Sequence, residues 1–207
     1  MPERRAQSDG TLRARKQAMT REAIVTHGVR LFLDRGFDDV TVAEIAEAAM
    51  VSPTTVFRYF GTKEALLFAN HEAEQQELCD AVERHGALSE PRAVMAAAVL
   101  DLAATMRPEE ELYAARMRVI SSSPTLLGAA LRTRMAWEVA AAAELAAASS
   151  RAPEVADHVA AGAAVGALHA AVREWYARAG GTSLTQCLEE ALEALWPDVV
   201  RDLPKDR

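Results

Sequence analysis

Residues 41–63 read TVAEIAEAAMVSPTTVFRYFGTK, and this stretch predicts two short helices separated by a tight turn. Thr41 is a favourable N-cap, and Glu44 completes a capping box at the start of the first helix. Ser52 is a second N-cap, followed by Pro53 at the first helical position, where the missing N–H costs nothing. Two helices joined by a turn of about three or four residues are typical of the helix-turn-helix, whose second helix enters the DNA major groove.

A longer helix is predicted before this stretch, over residues 19–35. Gly36 supplies the left-handed residue that commonly ends a helix, and Phe37 is expected to fold back as the hydrophobic contact after the cap. One face of this helix carries Ile24, Gly28, Leu31 and Phe32.

The block from residue 20 to about residue 67 resembles the DNA-binding signature of the tetracycline-repressor (TetR) family of one-component regulators. The resemblance lies in an ordered set: helix, glycine stop, capping box, Ser-Pro cap, aromatic trio and the flanking KEAL at residues 63–66. A helical hairpin used only for packing is the alternative, and the ordered set argues against it. The resemblance implies an all-α fold of about nine helices, with a three-helix DNA-binding domain before a larger ligand-binding and dimerisation domain.

The rest of the sequence predicts six further helices and no strand, because alanine is abundant and hairpin signals are absent. Thr62 is expected to cap a long, stiff helix that runs to about residue 85 and connects the two regions. Later helices are expected to open near Pro91, Pro108, Pro124, Pro153 and Ser183, with Trp196-Pro197 closing the last. The predicted organisation is a flexible basic arm at 1–16, a helix-turn-helix domain at 17–62, and a ligand-binding and dimerisation domain at 63–207.

The net charge of −7 is unevenly distributed. Residues 1–63 carry a net charge of +2, whereas residues 64–207 carry −9. DNA binding requires a local positive footprint rather than a basic protein, so the acidic total does not exclude it. The basic residues of the arm could grip phosphates or enter a minor groove, or they could form a solvated tail. They are Arg4, Arg5, Arg13, Arg15 and Lys16.

Several other classes of protein are disfavoured. Cys79 and Cys187 lie far apart without neighbouring metal ligands, which fits a reducing cytoplasm and predicts neither metal nor cofactor. The apolar run at 159–172 is too short to span a bilayer, and the N-terminus lacks the apolar core of a signal peptide. Phosphate loops and nucleophile elbows are absent, and His71-Glu72 lacks the second histidine of a zinc motif. No catalytic residue is therefore predicted.

The resemblance also implies which residues contact DNA. In the family, the positions equivalent to 53–55 read base edges. Phe57 stands where an aromatic hydroxyl contacts phosphate, so that donor is missing here, whereas Tyr59 keeps one. Met50 stands where the family usually has a turn glycine, at a cost of roughly 1 kcal/mol or more if φ is positive. The predicted DNA-binding set is Thr41, Ala43, Ser52, Pro53, Thr54, Thr55, Phe57, Arg58, Tyr59 and Lys63.

The helices after residue 85 are expected to enclose a small-molecule pocket. Large or soft side chains among the alanines are its candidate walls, with Tyr113 or His169 as polar anchors. Each is individually more often ordinary core, so about a third of them are expected to touch a ligand. The candidates are Met95, Leu102, Met106, Tyr113, Met117, Met135, Trp137, His169 and Trp175. The arginines that could neutralise an anionic effector, or simply be solvated, are Arg116, Arg118, Arg132, Arg134 and Arg173.

A single recognition helix reads few base pairs, so a dimer is expected on a two-fold operator with half-sites about 34–36 Å apart. Gly162, Gly166 and Ala170 recur every four residues and would leave a flat groove for another backbone. A leucine ridge would pack beside it in the four-helix bundle that the resemblance implies. The alternative is that both faces pack within one subunit. The ridge consists of Leu184, Leu188, Leu192 and Leu195.

These patterns predict a cytoplasmic, ligand-responsive regulator that does not interact with a membrane. Its partners would be operator DNA, a second copy of itself and an unidentified small molecule. The favoured form is a repressor that a small, largely apolar effector releases from a palindromic operator. The alternatives are an activator, or an architectural DNA binder of the same fold without an effector; an enzyme is disfavoured.

Overall fold

A computed structural model describes residues 3–88, 90–106, 110–178 and 181–203, and these residues form ten α-helices and no strand. The predicted all-α fold is confirmed. The chain divides into two compact units, one formed by residues 1–69 with Ala115–Leu126 and the other by Asn70–Ala114 with residues 127–207. The helices are α1 (Glu3–Arg35), α2 (Val42–Ala48), α3 (Pro53–Phe60), α4 (His71–Arg84), α5 (Pro91–Thr105), α6 (Glu110–Ser122), α7 (Pro124–Ala147), α8 (Val155–Ala177), α9 (Leu184–Leu195) and α10 (Pro197–Asp202).

The first unit is built around a small apolar core between α1, α2 and α3. Ile24 and Phe32 of α1, Ile45 of α2 and Val56 of α3 are all buried. The helices approach closely at Gly28, where an added Cβ would lie 3.5 Å from a methyl carbon of Ile45. The predicted helix-turn-helix is therefore confirmed. The buried positions Ile24, Gly28 and Phe32 also lie on the predicted face of α1, the helix that precedes it.

The end of α1 also follows the sequence. Gly36 has φ of +89°, the left-handed conformation that a glycine adopts without strain. The ring of Phe37 then returns to α1 and lies 5.0 Å from the ring of Phe32, measured between centroids. This contact fixes the direction in which the chain enters α2.

The predicted start of the first helix near residue 19 is wrong, because α1 continues back to Glu3. The reason is composition: after Pro2 the segment consists largely of good helix formers such as alanine, arginine, glutamine and lysine. Apolar periodicity reports burial, not helicity, and residues 13–19 are exposed. The missing periodicity therefore did not mean a missing helix. The flexibility of the basic arm stays a prediction.

The predicted stiff helix from Thr62 to residue 85 is also wrong. A short 3₁₀ turn covers Glu64–Leu66, a non-helical turn follows, and α4 begins only at His71. The consecutive side chains of Leu66 and Leu67 both lie in the core, at 0% exposure.

Two arginines satisfy the carbonyl groups that this break leaves without helical partners. Arg116, buried on α6, donates from Nε and Nη2 to the carbonyl oxygen of Leu67, at 2.9 and 2.7 Å. Arg21 of α1 donates to the carbonyl oxygen of Ala69. Arg116 is thus neither solvated nor directed at an effector, the two roles that the sequence suggested for it.

The second unit has α5 as its central helix. Residues 94–100 are buried without interruption, so α5 is covered on all sides, with α4, α8, α9 and α10 packed against it. Pro197 opens α10 instead of closing the chain's last helix, which corrects the predicted count of nine. Proline is tolerated there because the first helical N–H needs no partner. The predicted helix start at Pro108 lies outside the described residues.

Helix α8 has 23 residues, more than the apolar run read from the sequence, and among the described residues it alone is long and apolar enough to cross a bilayer. Half of that apolar window is buried inside the fold. A buried core helix has the same length and composition, so this property does not indicate a membrane.

Candidate DNA-binding surface and ligand cavity

The start of α2 is held by the predicted capping box. The backbone N–H of Glu44 is 3.3 Å from the hydroxyl of Thr41, and the Glu44 carboxylate accepts from the Thr41 N–H at 2.8 Å and from its hydroxyl at 2.7 Å. Arg35 adds an ion pair at 2.6 Å. The Thr41 hydroxyl, its backbone N–H and Arg35 together lower the pKa of Glu44 to about 2. Both Thr41 donors are thus engaged inside the chain, although Thr41 belongs to the predicted DNA-binding set.

In the turn between α2 and α3, Met50 adopts the positive φ that the sequence analysis identified as a possible source of strain. Met50 has φ of +54°, and its N–H donates to the carbonyl oxygen of Glu47 at 3.0 Å. Its side chain is 92% exposed, so no packing compensates the unfavourable backbone conformation. The strained turn matters for function because it sets the angle at which α3 leaves α2.

Ser52 and Pro53 start α3 as predicted. The Ser52 hydroxyl accepts from the N–H of Thr55 at 3.1 Å and also lies 2.9 Å from the Thr55 hydroxyl. Thr55 is therefore partly committed to the cap. Its neighbour Thr54 is exposed, which leaves Thr54 better placed to meet a base edge.

The outer face of α3 combines apolar, aromatic and basic groups. Phe57 is 52% exposed, Arg58 is exposed, and Tyr59 is half-buried with the Arg58 guanidinium 5.4 Å from its ring centroid. Val56, on the opposite side of α3, is buried in the core. Pro53 and the α2 residue Ala43 are exposed as well. The structure thus places most of the predicted contact residues on accessible surface, where their contacts with DNA remain a prediction.

Lys63 was expected to contact DNA, but its side chain is hydrogen-bonded within the chain. Its ammonium donates to the carbonyl oxygens of Phe37 and Val40, at 2.7 and 2.9 Å, and lies 4.2 Å from the centroid of the Phe37 ring. Two of its three N–H donors therefore hold the loop between α1 and α2. Any phosphate contact would have to use the third donor or displace one of these bonds.

The second unit contains a cavity of about 270 Å³ between α4, the end of α5 and α6. Three of the nine predicted ligand residues, Leu102, Met106 and Tyr113, line it. This share equals the expected third, although contact with a ligand remains a prediction. The full lining is Asn70, Ala73, Glu74, Glu77, Leu102, Thr105, Met106 and Tyr113.

The other predicted ligand residues do not line this cavity. Met95 and Trp175 are buried core residues, and Met135 is 56% exposed on α7. Met117 belongs to the first unit. The remaining two form a pair: the rings of Trp137 and His169 lie 6.4 Å apart, and burial is the main cause of the lowered pKa of His169.

The polar side of the cavity was missed from the sequence. Ala73, Glu74 and Glu77 line the cavity, although none of them is among the predicted ligand residues. The signal was present in the spacing, because positions 70, 73, 74 and 77 share one helical face. Sequence alone does not say whether such a face meets bulk water or a cavity.

The predicted dimer ridge is largely wrong. Leu184, Leu188 and Leu192 are at most 1% exposed within a single chain, so they hold α9 to its own core and cannot contact a partner. Leu195 is 40% exposed. Leucines at this spacing identify an apolar face, but they do not show whether the same chain or a partner covers it. For these three leucines the same chain covers it, which is the alternative that the sequence left open.

The small-residue face of α8 lies beside charged groups of α7. The Arg134 guanidinium would be 3.2 Å from a Cβ added at Gly166, and the Glu138 carboxyl 3.8 Å from one at Gly162. Gly162, Gly166 and Ala170 remain partly exposed. Their role in a dimer therefore stays a prediction.

Helix α7 carries an exposed apolar stripe that the fold does not cover. Its members recur every four residues and are 48 to 62% exposed. An apolar face of this length on a surface helix is typical of an interaction site. The stripe consists of Leu127, Leu131, Met135 and Val139.

Within the described residues, no group of three or more histidine, cysteine or acidic side chains is arranged to hold a metal ion. Cys79 and Cys187 are both unbridged thiols. Burial is the main cause of the raised pKa of each thiol. Burial therefore favours the neutral thiol form of both residues.

Comparison with known proteins agrees with this geometry. Residues 24–69 match the model for bacterial regulatory proteins of the tetR family, and residues 89–199 match the model for the MftR C-terminal domain. The chain is 32% identical over 205 residues to the HTH-type transcriptional regulator TcmR of Streptomyces glaucescens, covering 92% of this chain and 89% of TcmR. The chain belongs to the TetR family of DNA-binding transcriptional regulators.

Two solved structures share the fold. Thermus thermophilus FadR, a TetR-family transcriptional repressor in complex with lauroyl-CoA, is 26% identical with a TM-score of 0.53, over 90% of this chain and 99% of FadR. NalD of Pseudomonas aeruginosa, the secondary repressor of the MexAB-OprM multidrug efflux pump, is 20% identical with a TM-score of 0.60, over 90% and 100% of the two chains.

Proposed function

We propose that this chain is a cytoplasmic, dimeric repressor that binds a palindromic operator through α3 and leaves it when a small molecule fills the cavity of the second unit. The observation that carries the proposal is the exposed outer face of α3, held on a doubly capped helix-turn-helix. As a DNA-binding regulator, the protein would act without catalysing a reaction.

Sequence preference would depend on Thr54 and on apolar contacts. A threonine donates or accepts a hydrogen bond, or presses its methyl group on a thymine methyl. The exposed ring of Phe57 would contact sugar or a thymine methyl, because it has no hydroxyl to offer a phosphate. Tyr59 and Arg58 would supply phosphate contacts, which set register rather than sequence.

Effector control would act through α4, which both lines the cavity and directly follows the DNA-binding unit in the chain. A ligand shifts the protein between two states only by its difference in affinity for them, typically a coupling of about 1–3 kcal/mol. The complex of Thermus FadR with lauroyl-CoA supports the idea that this fold accommodates a small molecule.

The dimer would form on the α7 stripe and the adjoining exposed side chains of α8. Val155 and Val159 of α8 are 79% and 62% exposed, and both are apolar. A two-fold axis brings the same surface of both copies together, so an uncharged apolar stripe is self-complementary. The outer face of α9 is less suitable, because its exposed residues include Glu189, Glu190 and Glu193, which would face like charges.

Fluorescence anisotropy with the DNA upstream of the protein's own gene tests the proposal. We expect saturable binding that survives near-physiological salt, and a scrambled duplex of equal composition as control should bind far more weakly. Thr54→Ala should change which operator sequence the protein prefers. Thr55→Ala, at the neighbouring residue of the α3 cap, should mainly lower the stability of the fold. Binding that is equal for both duplexes and vanishes with salt would reduce the protein to a non-specific DNA binder.

A further inference from the structure

We propose that the N-terminal extension of α1, residues 3–20, is a second DNA-contacting element that binds phosphates next to the half-site read by α3. The inference rests on the proposed function in taking α3 as the helix that docks on DNA. Three observations carry it. The extension is helical, its described residues are exposed and basic, and it leaves the fold beside the end of α3.

Positive charge is concentrated at this end of the chain. Residues 1–21 hold six lysines and arginines against two acidic residues, a net charge of +4, whereas residues 22–207 carry −11. Arg13, Arg15 and Lys16 belong to the segment 13–19, in which every residue is exposed. A local cluster of exposed positive charge on an otherwise acidic protein is the electrostatic footprint that binds a phosphate backbone.

Arg21 fixes the point at which the extension leaves the fold. Its guanidinium lies over the ring of Phe60, 5.5 Å from the centroid, and donates to the carbonyl oxygen of Ala69. Phe60 is the last residue of α3, and its ring centroid is 6.2 Å from that of Tyr59, a candidate phosphate contact. The extension therefore begins beside the C-terminal end of the helix proposed to read the operator.

The helical form decides between the two DNA contacts that the sequence left open. An α-helix with its side chains is about 10–12 Å across and the minor groove is about 6 Å wide, so the extension cannot enter a minor groove as a helix. Its 18 residues span about 27 Å, which extends the contact beyond the half-site. A helix without a packed face is only marginally stable by itself, so a flexible arm in the free protein and a helix held on DNA are compatible.

A membrane surface and a solvated tail are the competing interpretations. A helix that lies on a lipid surface needs a broad apolar face, and within residues 13–19 only Met19 is large and apolar. A solvated tail would explain the exposure of this segment. It would not explain why the positive charge of an acidic protein collects beside α3.

The salt dependence of DNA binding tests the proposal. Fluorescence anisotropy with the full chain gives the slope of log affinity against log salt, for the upstream DNA and for the scrambled duplex of equal composition. The triple variant Arg13→Gln, Arg15→Gln and Lys16→Gln removes three charges but keeps good helix formers. We expect its slope to fall by about 2–3 on both duplexes, and its affinity near physiological salt to fall at least about tenfold.

Arg201→Gln is the matched control, because it removes an exposed arginine from α10 in the second unit and should leave the slope unchanged. A wild-type slope for the triple variant would overturn the proposal and leave the extension a solvated tail. A loss confined to the operator would overturn the phosphate assignment, because phosphate contacts carry no sequence information. Loss of binding to phosphatidylserine vesicles with an unchanged DNA slope would make a membrane the partner instead.

Ala14→Pro tests whether the extension binds as a helix, because proline interrupts an α-helix. Residue 14 is exposed and lies ten residues before Ile24, the first buried side chain described in α1, so the melting temperature should not change. We expect affinity to fall at least about 3-fold on both duplexes, whereas Ala14→Gln, the control, should bind like the wild type. Charge-dependent binding that survives Ala14→Pro unchanged would refute the helical contact and favour a flexible arm in the minor groove.

The outcome is separable from that of the proposed function. The slope is measured on both duplexes, so the extension is tested whether or not the protein prefers the operator. Preference for the operator with an unchanged slope in the triple variant would refute only the extension. Equal binding of both duplexes with a reduced slope in the triple variant would keep the extension and refute the specific repressor.

Discussion

The ammonium of Lys63 donates a 2.7 Å hydrogen bond to the carbonyl oxygen of Phe37 and lies 4.2 Å from the centroid of the same residue's ring. One side chain thus ties the segment after α3 to the loop before α2. A residue that the family resemblance assigns to DNA also stabilises the fold of the DNA-binding unit. The two roles predict different measurable effects.

Lys63→Ala should lower the free energy of unfolding by about 1–3 kcal/mol, because two carbonyl oxygens lose a charged donor. Urea denaturation measures this change, and Arg58→Ala, at an exposed position, is the control expected to change it little. If the third N–H also meets a phosphate, the slope of log affinity against log salt should fall by about 1. An unchanged slope with a lowered stability would leave Lys63 a structural residue only.

Phe57→Tyr should raise operator affinity by about 3- to 10-fold, because it restores the phosphate donor that the family carries at this position. The side chain is 52% exposed, so the added hydroxyl needs no space in the core and stability should not change. Anisotropy titration with the operator measures the affinity. Equal affinity of the two proteins would show that this face of α3 does not approach a phosphate.

Met50→Gly should raise the free energy of unfolding by about 0.5–1 kcal/mol, because glycine adopts the positive φ of this turn without strain. The lost side chain is 92% exposed and contributes little packing. The adjacent Ala49 has φ of −86°, so Ala49→Gly is the matched control and should destabilise. Destabilisation by both changes would mean that Met50 has a stabilising contact in solution.

The helix-turn-helix could be predicted from the sequence because its determinants are local. The caps at Thr41 and Ser52 and the stop at Gly36 act within a few residues, and each was found where the pattern placed it. The break after residue 63 could not be predicted in this way. It depends on Arg21 and Arg116, which are 48 and 49 residues from the carbonyl groups they satisfy.

The candidate sites show the same limit. Spacing alone placed Glu74 and Glu77 on one face of α4, but only the packing of α5 and α6 makes that face a cavity wall. Leu188 and Leu192 lie on an apolar face of α9 as the sequence indicated. Which neighbour covers such a face is decided by tertiary packing, and here the neighbour lies in the same chain.

Asp157 should make stability depend on pH in the acid range. Its buried carboxylate receives two bonds from Arg151, at 2.5 and 2.8 Å, and one from the N–H of Glu154 at 2.8 Å. Arg151 first, and then the Glu154 N–H, lower its pKa from 3.8 to about 2. A lowered pKa stabilises the fold above the unfolded value, and this contribution disappears as pH falls from about 4 to about 2.

Asp157→Asn should therefore cost about 1–3 kcal/mol at pH 7, through the lost pair and the weakened cap of α8. Denaturant unfolding across pH 2 to 7 measures the difference from wild type, which should be constant above about pH 5 and shrink below about pH 4. Glu190→Gln, which breaks an exposed pair with Arg178, should cost less than about 1 kcal/mol. A wild-type advantage that persists unchanged at pH 2 would contradict this role for Asp157.

The dimer surface can be located by placing a charge on one helix at a time. Val139→Glu puts a carboxylate at the C-terminal end of the α7 stripe, where an apolar two-fold interface would have to bury its charge, so sedimentation should shift towards monomer. The change occurs at a side chain that is 62% exposed, which leaves the fold of the single chain intact. Leu195→Glu, on α9, tests the surface predicted from sequence. Dissociation by Leu195→Glu but not by Val139→Glu would show that the dimer interface lies on α9. Operator affinity should fall in whichever variant is monomeric, because one recognition helix alone reads too few base pairs.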